Sequence, residues 1–397
     1  MNTTVRDIAA MPEFKGMKLL AGASGLDNVV TRCGFLDYEY DSALREKYLH
    51  RGFDEGEFVL SSFLYAKDNE FYIIDAIKRL HQRGCSGLAI RNIFKLNIRE
   101  NVLRFADANR FPIFLLTDET FYFEDIVYIV VDRIKKAQSI DRQAGLVDQI
   151  LFKINKSRES LAREINPSFH DEMAAIFFRP EEGVLSPEDF LSIMSRDELS
   201  SSLKRGDSAF YYRNGLMLIH SSDTWHKESV YKNIEKYIDI FSPAFPFKVR
   251  CGVSLIHNNL SELGAAVRES LYGSALPVCD ERGRCFYHDI GVFRVFIASA
   301  ASPGPCEFSD GYVRSIKAYD NENNTSLWAT AKSFILNNGD IKETALELGQ
   351  HVNTVRYRLD SISRLLEENV LSKSGYESLS AAIKIHFCRE AASLIGF

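Results

Sequence analysis

The side chains best suited to a chemical role lie together in the stretch HVNTVRYRLDSISRLL, residues 351–366. Five polar residues follow one another closely there: Asn353, Thr354, Arg356, Tyr357 and Arg358. An asparagine amide can pair with adenine, and an arginine guanidinium can pair with guanine or with phosphate. Such groups on the first turns of a helix suit the major groove of double-stranded DNA, so we expect these five residues to contact DNA.

Three predicted helices position this stretch, and they cover residues 326–338, 341–348 and 353–366. Gly339 ends the first helix, Asp340 caps the second, and Asn353 caps the third, as these residue types commonly do. A short helix, a turn of about four residues and a second helix form the helix-turn-helix pattern. The spacing therefore predicts an all-α DNA-binding region at residues 326–397.

The third helix has two unlike faces. Its apolar positions recur at helical spacing and are expected to pack inward: Val355, Leu359, Ile362 and Leu366. Arg356 projects most clearly outward, whereas Arg358 lies nearer the apolar side, where it either contacts DNA or ties the helix to its neighbours. Residues 326–397 hold eight basic and eight acidic side chains, so charge alone also allows helices that bind protein rather than DNA.

The composition is that of an ordinary folded protein with several domains. The 397 residues are 46% apolar and 26% charged, with a net charge of −6, which excludes a generally basic surface. Seven scattered cysteines indicate a reducing compartment rather than a disulfide framework. The sequence shows no secretory signal and no apolar run long enough to span a bilayer. These features predict a cytoplasmic protein with no membrane partner.

Patterns that bind a metal or a cofactor are not recognisable in the sequence. The nearest candidate is CDERGRCFYH, residues 279–288, whose two cysteines and one histidine fit no common zinc spacing. The chain also lacks a phosphate-binding loop of the Walker type and the G-x-S-x-G motif of hydrolases. We therefore expect no metal and no cofactor.

The first 124 residues alternate short apolar runs with amphipathic segments. Strands are predicted at 17–23, 57–62, 87–90 and 112–116, and helices at 69–84 and 98–110. This alternation indicates βαβ units and a largely parallel sheet, which binds ligands at the carboxyl ends of its strands. Ser61 and Ser62 end one strand and Asp118 follows another, so these three residues are the candidate ligand-binding residues.

A long helix is predicted to connect this region to the next, over residues 125–165, with an interruption near Gly145. Apolar residues recur along it: Ile126, Val130, Ile134, Leu146, Ile150 and Ile154. Such a helix either pairs with a second copy, giving a homodimer or higher homo-oligomer, or packs on its own domain. Residues 166–300 then mix strands and helices in an α+β order, and 301–325 has the proline and polar content of a linker.

The stretch HVNTVRYRLDSISRLL resembles the C-terminal helix-turn-helix of the PucR family of bacterial transcriptional regulators, which is related to the sugar-diacid regulator CdaR. That family typically shows a His-x-Asn-Thr-Val-x-Tyr-Arg-Leu core, and residues 351–359 match it. Residues 4–30 and 111–127 are similar to parts of the family's N-terminal sensor domain. GEFVLSS, residues 56–62, resembles its Gly-Glu-Leu-Val-Leu-Thr-Thr segment, with serines in place of both threonines.

Residues 247–276 are similar to the central domain of the same family, a relative of the GGDEF diguanylate cyclase fold. A cyclase needs acidic residues that hold Mg²⁺. The hairpin that should carry them reads YYRNGLMLI, residues 211–219, and has Arg213, Asn214 and Gly215 but no acidic pair. The resemblance therefore implies a degenerate domain that is not an enzyme.

The resemblance implies a multi-domain α/β and α+β chain with three folded parts. These are a parallel-sheet sensor domain at 1–124, a degenerate GGDEF-like α+β domain at 166–300 and an all-α helix-turn-helix domain at 326–397. It also implies a ligand-responsive transcriptional regulator, an activator of catabolic genes, with double-stranded DNA and a small catabolic metabolite as its partners. The alternative is a metabolite-binding sensor whose C-terminal helices mediate protein contacts rather than DNA binding.

Overall fold

The computed structural model describes residues 3–37, 52–117, 122–152, 157–223 and 227–397. The chain divides into two compact units, Met1–Arg142 and Gln143–Phe397. Each unit has its own five-stranded sheet.

The first unit is built on a mostly parallel sheet. Its strands are β1 Met17–Ala21, β2 Arg32–Phe35, β3 Glu57–Ser61, β4 Gly87–Ile90 and β5 Ile113–Leu116. The order is β1-β5-β4-β3-β2, in which β2 to β5 run parallel and β1 runs antiparallel to β5. Every residue of β3 and β4 is buried, as expected of central strands covered on both faces. The edge strand β2 is partly exposed and has no apolar run, so its hydropathy does not predict it.

In the described part of this unit, three helices precede or connect these strands: α1 Val5–Ala9, α2 Phe71–Gln82 and α3 Glu100–Ala108. The two longer ones bury one apolar side each, at Ile73, Ile77 and Leu80 in α2 and at Val102 and Ala106 in α3. Because α2 connects β3 to β4 and α3 connects β4 to β5, these helices are the crossovers that a parallel sheet requires.

The connecting helix, α4, spans Phe123–Phe152 without a break. The predicted interruption at Gly145 is therefore wrong, because a single glycine weakens a helix without removing any backbone hydrogen bond. The helix also ends before residue 165, and a separate helix, α5, covers Arg158–Ile165.

The apolar side of α4 is used within the chain. Ile126, Val130 and Ile134 lie in a hydrophobic cluster of the first unit, and Leu146 and Ile150 lie in the core of the second unit. Ile154 lies outside the described residues. This burial supports the alternative in which the helix packs on its own chain, so the apolar stripe is no evidence for a dimer.

The second unit has a mainly antiparallel sheet. Its strands are β6 Glu172–Pro180, β7 Ser208–Tyr212, β8 Gly215–Ser222, β9 Val249–Val253 and β10 Arg284–Phe286, in the order β10-β9-β6-β8-β7. Helices α6 Pro187–Met194 and α7 Asp197–Ser202 follow β6, and α8 Lys227–Phe241 follows β8. Strands β6 to β9 with these helices have the βαββαβ order of a split βαβ fold. Strand β10 adds a parallel strand beside β9.

Seven helices complete the second unit: α9 Leu263–Ala275, α10 Phe293–Ser299, α11 Pro303–Asn323, α12 Leu327–Leu336, α13 Ile341–Glu347, α14 Val352–Leu365 and α15 Lys373–Leu394. One hydrophobic core contains residues of the sheet and of the last four helices, such as Phe177, Phe334, Val355 and Ile383. The central sheet and the C-terminal helices are therefore one packed body.

The segment predicted as a linker, 301–325, is instead mostly the helix α11. Pro303 occupies its first position, where a missing backbone N–H removes no helical hydrogen bond. Asn324 ends the helix in a left-handed conformation, which asparagine tolerates. Ser309, Val313 and Ile316 are buried. The prolines and polar residues that predict a linker are instead the ends and the exposed face of a helix.

Several features bear on the class of protein. The seven cysteines are free thiols. Within the described ranges, no three side chains of histidine, cysteine, aspartate or glutamate cluster in a way that could hold a metal ion. The helices in those same ranges lack the length and apolarity needed to cross a membrane.

Two glycines of the second unit provide a matched test of its packing. A Cβ at Gly252 on β9 would lie 1.9 Å from the Ser270 carbonyl oxygen of α9, whereas a Cβ at Gly145 would meet nothing within 4 Å. We expect Gly252→Ala to lower the free energy of unfolding by about 3 kcal/mol and Gly145→Ala to raise it by about 1 kcal/mol. Chemical denaturation measures both, and a tolerated Gly252→Ala would contradict the helix-on-sheet contact.

Candidate nucleic-acid interface

Hydrogen bonds from one side chain and from the backbone cap the ends of α13 and shape the turn that follows it. The Asp340 carboxylate accepts hydrogen bonds from the backbone N–H groups of Lys342 at 2.7 Å and Glu343 at 3.1 Å, which confirms the predicted cap of α13. After α13, Gly349 takes a left-handed conformation with φ of 60°. The Gln350 N–H then donates to the Ala345 carbonyl oxygen at 2.8 Å. These bonds set the tight turn before α14.

The cap of α14 differs from the prediction. The helix begins at Val352, and the His351 ring accepts a hydrogen bond from the Asn353 N–H through Nδ1 at 3.2 Å. His351 is therefore the cap rather than Asn353, because a ring nitrogen two residues ahead can serve as the acceptor that the first turn needs. The Asn353 side chain, which is exposed, is consequently not used for capping.

The apolar stripe of α14 packs as its spacing predicts. Val355, Leu359 and Ile362 are fully buried, and Leu366, just past the helix end, is half-buried. Ala345 on α13 is also buried, as a close crossing of two helices requires. This packing determines which side of α14 faces solvent.

The exposed side of α14 carries the polar residues of its first turns. Asn353, Arg356 and Tyr357 are exposed, and Thr354 is half-buried. Tyr357 leaves 67% of its surface accessible, which is high for an aromatic residue. Arg356 has no ion-pair partner in the part of the chain that the structure describes. The surface offers an amide, a guanidinium and a phenol to a partner, which are groups that recognise base edges and phosphates.

Arg358 faces a neighbouring helix instead. Its Nη1 donates a hydrogen bond to the Thr330 hydroxyl on α12 at 3.2 Å, and Thr330 is fully buried. Of the two roles left open for Arg358, this contact supports the one that ties α14 to its own domain.

A second candidate site lies in the first unit, where the parallel strands end. A cleft of about 670 Å³ is found there. Its lining combines polar and apolar side chains: Phe35, Leu36, Asp37, Leu60, Ser62, Leu64, Arg91, Ile93, Tyr122, Phe123 and Glu124. The carboxyl edge of a parallel sheet is the usual position of a ligand site in such folds.

The three predicted ligand-binding residues have different outcomes. Ser62 lines the cleft. Ser61 is buried and does not line it, because its hydroxyl donates to the Leu36 carbonyl oxygen at 2.7 Å and accepts from the Phe63 N–H at 2.9 Å. Asp118 lies outside the described residues.

The sequence did not predict three charged residues that line the cleft: Asp37, Arg91 and Glu124. Arg91 directly follows the predicted strand 87–90, so the strand-end rule that selected Ser61 and Ser62 could also have selected it. Its guanidinium lies 5.9 Å from the centre of the Phe123 ring, within the range of a cation–π contact. Asp37 follows the unpredicted strand β2, and no comparable signal marked it.

Two family comparisons cover the ends of the chain. Residues 7–134 match the Purine catabolism regulatory protein-like family. Residues 327–385 match the PucR C-terminal helix-turn-helix domain. The first match contains most of the first unit, and the second contains all the residues of α13 and α14.

Two proteins of Bacillus subtilis (strain 168) are similar to part of the chain. The Purine catabolism regulatory protein is 25% identical over 143 residues, which are 36% of this chain and 25% of that protein. The Proline-responsive transcriptional activator PutR is 26% identical over 123 residues, which are 30% of each chain. The similarity thus spans about a third or less of either relative.

A solved structure, the Regulator of Polyketide Synthase Expression from Bifidobacterium adolescentis, is 17% identical to the chain. The superposition covers 63% of this chain and 99% of that one, with a TM-score of 0.31.

Variants at Arg358 and Arg356 distinguish a side chain that stabilises the fold from one that is free to contact a partner. Arg358→Ala removes the bond to Thr330, and we expect it to lower the free energy of unfolding by about 1 kcal/mol. Arg356→Ala is expected to change it by less than about 0.5 kcal/mol. Denaturant titration measures both, and equal stabilities would show that Arg358 does not hold α14 to α12.

Ser61 and Ser62 form a similar pair at the cleft. Ser61→Ala leaves the buried Leu36 carbonyl and Phe63 N–H without their partner, so we expect a loss of about 1–3 kcal/mol of stability. Ser62→Ala is expected to stay within about 0.5 kcal/mol of the parent. Thermal and denaturant unfolding of both variants test this. A Ser61→Ala protein as stable as the parent would contradict the structural role of Ser61 and leave a role in ligand binding open to it.

Proposed function

The chain carries the N-terminal domain and the C-terminal helix-turn-helix domain of the PucR family, and we propose that it is a transcriptional regulator that binds double-stranded DNA through α14. One observation carries the proposal. The helix buries Val355, Leu359 and Ile362 and leaves the polar groups of its first turns exposed. In helix-turn-helix proteins, the first turns of the second helix contact the bases.

Asn353, Thr354, Arg356 and Tyr357 are the proposed DNA contacts. Arg356 is exposed and is the cation among these four residues, so we expect it to matter most to a base or a phosphate. Arg358 acts mainly by holding α14 against Thr330 and contributes to DNA contact only through that position.

We further propose that a small catabolic metabolite binds in the cleft at the strand ends of the first unit. Its mixture of aromatic walls with Asp37, Arg91 and Glu124 suits a small polar ligand. One relative is named for purine catabolism and the other for its response to proline, which supports an effector from a catabolic pathway. The second relative is named an activator, and we propose the same sign of regulation here.

Binding of the metabolite would shift the population between two arrangements of the chain and so change how DNA is held. A homodimer would let two copies of α14 read two half-sites. Because the apolar stripe of α4 is already buried within the chain, the contact between copies would involve another surface.

The central sheet, in this proposal, is a scaffold rather than a GGDEF-type enzyme. The residues at the turn between β7 and β8 are Arg213 and Asn214, where a cyclase would hold Mg²⁺ with carboxylates. The βαββαβ order of the sheet supports the likeness to that fold, and the residues of the turn support the loss of its chemistry.

A second candidate function is a metabolite sensor whose C-terminal helices bind protein. Leu346 on α13 supports it, since 77% of this apolar side chain is exposed, and the helical region has equal numbers of basic and acidic residues. Salt separates the two functions, because phosphate contacts release counterions and apolar contacts do not.

The test is fluorescence anisotropy of the full chain on DNA from upstream of its own and neighbouring genes, across a salt series. We expect tight binding to one fragment that weakens steeply with salt. Arg356→Ala should weaken it by about 1–3 kcal/mol if Arg356 reads a base, or lower the salt slope by about one if it contacts a phosphate.

Arg364→Ala is the matched control, because Arg364 is an exposed arginine in the last turn of the same helix. It removes the same charge where no base contact is expected. Binding that is indifferent to salt, or equal losses in both variants, would contradict the proposed interface. Absence of binding across genomic fragments would favour the protein-contact function.

A further inference from the structure

The turn between β7 and β8 holds an arginine in an uncommon backbone conformation. Tyr212 pairs with Gly215, and the two residues between them, Arg213 and Asn214, have φ of 43° and 59°. A two-residue hairpin turn with both φ values positive favours asparagine, aspartate and glycine. Arginine is unusual there, which directs attention to what its side chain contacts.

The Arg213 side chain contacts the end of the connecting helix α4. Its Nη2 lies 3.7 Å from the Asp148 carboxylate, and its guanidinium lies 5.6 Å from the centre of the Phe152 ring. The neighbouring Tyr212 hydroxyl donates to the same Asp148 carboxylate at 2.6 Å. Burial, together with this hydrogen bond, raises the pKa of the Tyr212 phenol, so it remains a protonated donor.

The same guanidinium contacts the end of the C-terminal helix α15. Its Nη1 donates a hydrogen bond to the Ile395 carbonyl oxygen, and its centre lies 4.6 Å from the centre of the Phe397 ring. That ring stacks on Tyr272 of α9, with 5.8 Å between centres and 6° between planes. It also lies 5.5 Å from the Phe152 ring of α4.

A glycine turn presents these groups to Arg213. Gly396 has φ of 74°. The Phe397 N–H donates to the Ala392 carbonyl oxygen at 2.8 Å, and the Gly396 N–H donates to that of Ser393 at 3.4 Å. This pair of bonds is the Schellman motif that ends helices at a left-handed glycine. The Ile395 carbonyl and the Phe397 ring are thereby both held against one guanidinium.

We propose that Arg213 couples the end of α4 to the end of α15, so that a displacement of one helix end is transmitted to the other. Only 18% of the Arg213 side chain is exposed, so its charged hydrogen bond to the Ile395 carbonyl is largely shielded from water and stronger than an exposed one. Asp148 is half exposed and adds a weaker attraction across 3.7 Å. A planar guanidinium can bind a carbonyl, a carboxylate and aromatic faces together, which a lysine ammonium cannot. The significance for gene regulation rests on the proposed function, since α4 runs from the first unit and α15 packs with the DNA-binding helices.

The coupling is tested by hydrogen–deuterium exchange of the full-length protein, read at residues 394–397 and 149–152. Asp148→Ala should accelerate exchange at 394–397 by at least about threefold when Arg213 is present and should add nothing in an Arg213→Lys background. Non-additivity of this kind is the signature of two groups that interact. Equal acceleration in both backgrounds, or none in either, would overturn the proposal.

The reciprocal variant tests the coupling from the other helix end. Phe397→Ala should accelerate exchange at 149–152 more in the parent protein than in the Arg213→Lys background, because the direct contact of its ring with Phe152 is lost in both while the contact through Arg213 is lost only in the parent. Unchanged exchange there would contradict the coupling. The matched control is Arg284→Lys, an arginine of similar exposure that pairs with Asp280 on the opposite edge of the same sheet. It should leave both segments unchanged.

DNA binding gives a separate readout. On a fragment that the parent protein binds, Arg213→Lys should change the Kd by at least about threefold, although Arg213 lies outside the helix-turn-helix. An unchanged Kd would contradict transmission to the DNA-binding helices. If the parent protein binds no fragment, the proposed function fails, while the exchange data still decide whether Arg213 couples the two helices.

Discussion

The burial of α15 in a core that it shares with the central sheet is the constraint on which the second unit depends. Leu379, Ile383 and Cys388 lie in the same cluster as residues of β6 and β8 and as the apolar stripe of α14. Ser309 of α11 donates to the Ala382 carbonyl oxygen at 2.7 Å, and Arg389 pairs with Asp310 at 2.6 Å. These polar contacts orient α15, while its apolar residues fix how deeply it packs.

This shared core changes how the C-terminal helices can act. A helix-turn-helix on a flexible linker would search for DNA independently of the rest of the chain. Here α11 occupies most of the supposed linker and packs on α15, so α14 has a defined position relative to the central sheet. A signal that alters the placement of α14 must therefore either move this packed body as a whole or loosen the contacts of α15.

The predictable and unpredictable features differ in physical origin. Strands β3 and β4 and the stripe of α14 follow from burial, which leaves an apolar pattern in the sequence. Strand β2 was missed because it lies at the edge of its sheet and is partly exposed. The prolines at the start of α11 indicate a linker in the sequence, because proline at a helix start and proline in a linker look alike without their hydrogen bonds.

In the candidate sites, too, some residues could be predicted from burial and others could not. The exposed first turns of α14 could be predicted, because the buried stripe determines the opposite side. The cap at His351 could not, since asparagine is the commoner cap and the choice depends on where the turn ends. Ser61 and Ser62 are adjacent at one strand end, yet only Ser62 lines the cleft, because neighbouring residues in an extended chain point to opposite sides.

The turn at Arg213 shows why a hairpin without catalytic groups can still be constrained. A Cβ at Gly215 would lie 2.5 Å from the Phe178 carbonyl oxygen, so the backbone after the turn is held tightly against β6. Such a turn is a rigid point on the sheet, and the side chain at its tip is held at a defined place. Carboxylates at that place could hold a metal ion, whereas an arginine there binds carbonyl and aromatic groups. The backbone of the turn is the same with carboxylates or with an arginine at its tip. The residue type at the tip therefore determines whether the turn can bind a metal ion or contacts two helix ends.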